Sequence, residues 1–144
     1  MSCTETVSHS RVKVEENSSK AIFKNDHREE FKISQVDGCL VKDGIRCDKL
    51  VSKPNTASVL VELKGSDVSH ACDQLFASAN HPAVKPLLEK RLGFLVICAR
   101  VPRFDGFVLK AKQRAAKQFK AGFHIVKNRG EFDIERAVAI DGPF

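Results

Sequence analysis

Tryptophan and tyrosine are missing from the chain, and ten phenylalanines supply all of its aromatic bulk. No apolar run approaches the roughly 18 residues needed to span a bilayer. Met1 to Ser10 is polar and lacks the apolar stretch of a secretory signal. These absences argue against a membrane partner and lead us to expect a soluble, cytoplasmic protein. Low-complexity linkers and internal repeats are also lacking. The five cysteines, Cys3, Cys39, Cys47, Cys72 and Cys98, are odd in number and form no C-x-x-C pair. A zinc site can be drawn from Cys39, Cys47, His70 and Cys72, but its spacing matches no familiar zinc module. Free, mostly buried thiols are the expectation in a reducing compartment.

What remains is an ordinary globular composition. Apolar residues make up 42% and charged residues 29%, and 144 residues suffice for a hydrophobic core without staples. We expect a loose terminus over residues 1–10 and a single domain over 11–144. The net charge of +6 favours polyanionic partners.

The patterning predicts a first helix from about Glu15 to Phe23, although Asn17, Ser18 and Ser19 are poor helix formers. Three strands follow: Lys32 to Val41, Ile45 to Val51 and Ala57 to Lys64. Asp43-Gly44 and Lys53-Pro54-Asn55 are the turns between them. A helix from about Asp67 to Ala79 carries Val68, Ala71, Cys72, Leu75 and Ala79 on one face. A short helical stretch, about Val84 to Lys90, comes next. Leu92 to Val101 reads as a strand buried on both sides. Phe107 to Lys120 reads as an amphipathic helix ended by Gly122. Phe123 to Lys127 and Phe132 to Ala137 close the sequence as strands. The fold class is α/β or α+β, with one mixed central sheet flanked by helices.

Chemistry concentrates on the second and third strands. Glu62 and Lys64 are two apart, so they point to the same side, the one shared with Leu60. Charges on that side cost desolvation unless something pairs with them. A turn centred near Asn55 sets Asp48 opposite Glu62, with Cβ atoms about 5 Å apart. Two carboxylates that close repel, or are held together by a cation. Mg²⁺ is the natural candidate, with Mn²⁺ as a substitute and the Leu63 carbonyl as a further ligand. Such an ion polarises a phosphate oxygen and lowers the pKa of a water. Lys64 would orient that water or stabilise developing charge. The structural alternative is a salt-bridge ladder across a hairpin, worth little energetically.

The run Arg46-Cys47-Asp48-Lys49-Leu50, then Val61-Glu62-Leu63-Lys64-Gly65, then Ala71 to Leu75, resembles the PD-(D/E)xK nuclease superfamily of restriction endonucleases, resolvases and repair nucleases. The resemblance covers roughly residues 11 to 127 and implies a restriction-endonuclease-like αβββαβ core. It implies that Asp48 and Glu62 are the metal-binding acids and Lys64 the catalytic lysine. It also implies that Gln74 is the helix glutamine aimed back at the site, and that Glu16 is an acid contributed from the first helix. Cys47 stands where the motif name has proline, and Ser78 where tyrosine often follows the glutamine. Asp37 is either a third acid at the site mouth or a bulge residue before Gly38. His70 reads as an exposed helix residue one turn before Gln74.

Between Arg100 and Arg129 nine bases face a single acid, Asp105. Arg103, Lys110, Arg114 and Lys117 are the candidate nucleic-acid contacts. The function expected is a Mg²⁺-dependent DNA endonuclease of a bacterial defence or repair system, acting as a homodimer or with a partner protein. The alternatives are a non-catalytic nucleic-acid- or protein-binding module on the same fold, and a ribonuclease using the same site.

Overall fold

The computed structural model describes residues 2–16, 18–63, 68–100 and 106–140. Alternation governs its first third. Thr4–Val7 (β1), Arg11–Glu16 (β2) and Ser19–Lys24 (β3) are strands, followed by Phe31–Gln35 (β4), Lys49–Lys53 (β5) and Ala57–Leu63 (β6). Then come a helix, Val68–Asn80 (α1), a 3₁₀ turn at Lys85–Leu87 and the strand Arg91–Cys98 (β7). Helix Gly106–Phe119 (α2), strands Gly122–Lys127 (β8) and Arg129–Phe132 (β9), and the short helix Ile134–Ala137 (α3) complete the fold.

The architecture is mixed α+β. A six-stranded sheet runs in the order β1-β4-β5-β6-β7-β8. Its first four strands are antiparallel, and β6, β7 and β8 are parallel. A second sheet, β2-β3-β9, pairs β2 and β3 antiparallel and β3 and β9 parallel. Two cores follow from the period-2 alternation of the central strands. Leu50, Leu60, Phe94 and Val96 pack under α1 and α2. Val51, Val59, Val61, Leu95 and Ile97 pack under the small sheet and α3. The central sheet is thus covered on both faces, and β6 and β7 read as near-continuous apolar runs for that reason.

Several expectations are corrected. Residues 15–23 are not a helix but part of the β2–β3 hairpin. Val12, Val14, Ala21 and Phe23 are buried while Arg11, Lys13 and Glu15 are exposed, a period of two that overrides the helical reading. Residues 4–7, expected within a loose terminus, pair with β4. Residues 132–137 divide between β9 and α3, with Asp133 at the helix N-cap position. Lys120, at φ 52°, rather than Gly122, takes the left-handed position after α2. Gly122 instead opens β8, where a Cβ would run into the backbone of Val138 and Ala139. The first two core strands are shorter than expected. Residues 36–48 form a loop that turns through Gly38 and Gly44, both at positive φ.

Cys3 and Cys39 form a disulfide, contrary to the expectation of free thiols throughout. Cys47, Cys72 and Cys98 are free and buried as expected. Burial pushes the Cys47 and Cys72 thiols up to about 12, so they stay protonated and inert.

Candidate active site

The turn between β5 and β6 sets the site. Asn55 adopts φ 64°, and the Thr56 N–H donates to the Lys53 carbonyl at 3.0 Å. The register that follows pairs Lys53 with Ala57 and Lys49 with Val61. Continued by one residue, it sets Asp48 opposite Glu62, as the turn position predicts. Asp48 Oδ2 accepts from the Leu63 N–H at 2.7 Å. Its carbonyl accepts from the Val36 and Asp37 N–H groups at 3.0 and 3.3 Å. The aspartate is therefore held from β6 and from the loop that follows β4.

Glu62 shares the helix-facing side of β6 with Ser58 and Leu60 and is only 7% exposed. Its Oε1 is buried and makes no hydrogen bond among the described residues. Burial first, and the Asp48 carboxylate second, push its pKa up to about 9. Asp48 is also raised, mainly by burial, against the lowering effect of the Leu63 N–H. Each carboxyl therefore holds its proton more tightly than an ordinary one, and the two titrate as a pair.

Two further acids act on this pair. Glu16, at the end of β2 rather than on a helix, adds to the upward shift of Asp48. Asp37 raises both members of the pair. Its Oδ1 accepts from Arg46 Nε at 2.6 Å, so its charge is partly answered.

Helix α1 holds the loop that carries Asp48. Gln74 Nε2 donates to the Arg46 carbonyl at 3.0 Å. One turn later, Ser78 Oγ accepts from the Cys47 N–H at 2.8 Å and donates to the Gln74 carbonyl at 2.7 Å. Gln74 therefore positions the loop just before Asp48. Ser78, read from sequence only as a departure from a motif, is a second anchor. Its spacing of four from Gln74 is the signal that could have found it. Arg46, paired with Asp37 and donating to the Gly44 carbonyl at 2.7 Å, was likewise missed.

Lys64 and Arg103 lie outside the described residues. His70 is exposed on α1, as expected. On α2, Lys110 and Lys117 are exposed. Arg114 is engaged in packing: its guanidinium carbon lies 4.5 Å from the Phe76 ring centroid and its Nε donates to Gln118 at 3.1 Å. The zinc arrangement does not form, since Cys39 is disulfide-bonded. Among the described residues no group of three or more His, Cys, Asp or Glu side chains could hold a metal ion. Nor is any described helix long and apolar enough to cross a membrane.

Carboxylate oxygens such as those of Asp48 and Glu62 are donors of the kind a hard cation takes. One oxygen of the pair, Glu62 Oε1, is buried without a hydrogen-bond partner among the described residues, which is costly unless something takes that place. Comparison of the chain with protein-family models, with curated proteins and with solved structures gives no match.

Proposed function

We propose that the chain is a metal-dependent nuclease that hydrolyses phosphodiester bonds, most simply a DNA endonuclease. The observation that carries this reading is Glu62 Oε1, buried beside Asp48 with no hydrogen-bond partner among the described residues.

Asp48 and Glu62 would hold Mg²⁺ or Mn²⁺, with the Leu63 carbonyl as a backbone ligand. The bound ion would polarise a phosphate oxygen and lower the pKa of a water. Hydrolysis adds that water's oxygen to phosphorus, breaks the bond to the leaving oxygen and needs a proton moved between them. Lys64 is the residue of this sequence assigned to orient the water and stabilise developing charge. Gln74 and Ser78 are positioning residues, acting through the Arg46–Asp48 loop. The order β4-β5-β6-α1-β7 agrees with the βββαβ part of the restriction-endonuclease-like core, while a hairpin stands where that core has its first helix. Lys110 and Lys117 remain candidate phosphate contacts.

The reading is tested by incubating supercoiled plasmid with the full chain in Mg²⁺ or in EDTA. Nicking or cutting is expected in Mg²⁺ only, with a loss of at least about 100-fold in Glu62→Ala and Lys64→Ala. Undiminished cleavage by both variants would overturn the site. A structured RNA in a parallel reaction separates a ribonuclease from a deoxyribonuclease.

One observation favours a second reading, a non-catalytic nucleic-acid-binding module. It is the lack of a third His, Cys, Asp or Glu side chain completing a metal site among the described residues. Calorimetric titration showing no Mg²⁺ or Mn²⁺ binding, with DNA affinity intact, would select it.

A further inference from the structure

The small sheet turns Val12, Val14, Ala21, Phe23 and Phe132 inward. Its outer face presents Arg11, Lys13 and Glu15 from β2, Lys20, Ile22 and Lys24 from β3, and Arg129 and Glu131 from β9. The register across this face sets like charges directly opposite one another twice. Arg11 pairs with Lys24 across β2–β3, and Lys20 pairs with Arg129 across β3–β9. Like charges in directly opposed positions destabilise a sheet.

The local carboxylates do not cancel them. Glu131 pairs with Arg11, and Glu15 is shared between Lys13 at 3.3 Å and Lys20 at 3.6 Å. Arg129 has no ion pair among the described residues. Arg11, Lys13, Lys20 and Arg129 surround a depression of about 260 Å³ with Ile22 among its lining. That is below the roughly 300–1,000 Å³ of a pocket that encloses a small molecule. It suits one charged group of a chain passing over the surface. None of the large exposed apolar side chains lies on this face, so nothing there would insert into a lipid layer.

The face also leads to the carboxylate pair. The Lys20 N–H donates to the Asn128 carbonyl at 3.0 Å, and the Asn128 N–H donates to the Cys98 carbonyl at 2.8 Å. Ile97, next to Cys98, is in register with Leu63, whose N–H binds Asp48. Glu16, at the end of β2 beside Ser19, acts on Asp48, so the basic depression and the acids lie toward the same end of the sheets.

We propose that the outer face of β2-β3-β9 is a docking track for the phosphodiester backbone of double-stranded DNA, with Lys13, Lys20 and Arg129 as the phosphate contacts. This deepens the nuclease reading and rests on it for the identity of the ligand. Lys20 and Arg129 would each meet a phosphate, whose charges relieve their opposition across the strands. The track would hold the duplex toward the end of the sheets where Glu16 acts on Asp48.

The test is fluorescence anisotropy of the full chain with a fluorescein-labelled 20-base-pair DNA duplex in EDTA, over a series of salt concentrations. Lys13→Gln/Lys20→Gln/Arg129→Gln is expected to weaken binding at least tenfold. It should also make the slope of log affinity against log salt shallower by about 2 to 3, roughly 0.9 per lost phosphate contact. Lys85→Gln/Lys90→Gln/Arg91→Gln, which removes the same charge elsewhere, should change affinity less than threefold. Arg129→Gln alone, at a position with no described ion pair, should reduce the slope by about 0.9 and guards against a misfolded triple variant. Unchanged duplex binding in the track variants would overturn the proposal. So would equal weakening by the control, or loss confined to vesicles containing 30% phosphatidylserine. Because binding is read without metal, failure of the nuclease reading appears separately, as intact track-dependent binding with no cleavage in Mg²⁺.

Discussion

Glu62 is the residue on which the proposed chemistry turns. Its carboxyl is pushed up to about 9 from the ordinary 4.5, with burial as the larger cause and Asp48 as the next. The unfolded chain releases this proton near its ordinary pKa, and the folded chain holds it until about pH 9. The unfolded state therefore binds fewer protons across that window, and metal-free stability falls as pH rises from about 5 to about 9. The raised carboxyl of Asp48 acts in the same direction. Glu62→Gln keeps the shape and removes the charge. We expect it to flatten the decline and to stabilise the metal-free protein at pH 8 by about 1–3 kcal/mol. Thermal melts of both proteins in EDTA at pH 5, 7 and 9 check this; parallel declines would contradict it. The pairing of Asp48 with Glu62 was legible because a turn centred on Asn55 fixes the register. Ser78 and Arg46 were not, because their hydrogen bonds go to backbone groups of a loop whose path no periodicity encodes.

At the scale of elements, the central strands and the two long helices were legible to within a few residues. Their alternation or 3.6-residue period runs uninterrupted. The β2–β3 hairpin was not. In the sequence its apolar pattern is broken at Asn17, Ser18 and Ser19, and charged residues at Arg11, Lys13 and Glu15 resemble a solvated helix face unless the two-residue period is weighed. The consequence for the site is that Glu16 comes from a strand end. The N-terminal strand was missed for a different reason. β1 is short and half exposed, and it gains definition from β4 and from the Cys3–Cys39 disulfide. That bond joins β1 to the loop carrying Asp37, and the Gln35 N–H donates to the Cys3 carbonyl at 2.8 Å. It closes a sequence separation of 36 residues. Cys3→Ser/Cys39→Ser is expected to lower the stability of the oxidised protein by about 2–4 kcal/mol. Chemical denaturation with and without a reductant measures this. A midpoint unchanged by both the substitution and the reductant would show that β1 is held by pairing with β4 alone.

At the scale of the whole molecule, the sheet covered on both faces brings its acids to one end. Glu16 from the small sheet, Asp37 and Asp48 from the loop, and Glu62 from β6 are electrostatically coupled there, although they span 46 positions of sequence. The net charge of +6 stands against this local concentration of acids. A polyanion is drawn to such a molecule overall, but at the acids it is repelled unless a cation lies between them. The proposed small-sheet track and the exposed lysines of α2 lie on the two sides of the central sheet. The most direct test is anomalous diffraction from crystals soaked in Mn²⁺. The account predicts a peak within about 2.5 Å of carboxylate oxygens of both Asp48 and Glu62 in the wild type, and its loss in Glu62→Gln. Carboxylates turned apart into solvent with no peak between them would contradict it.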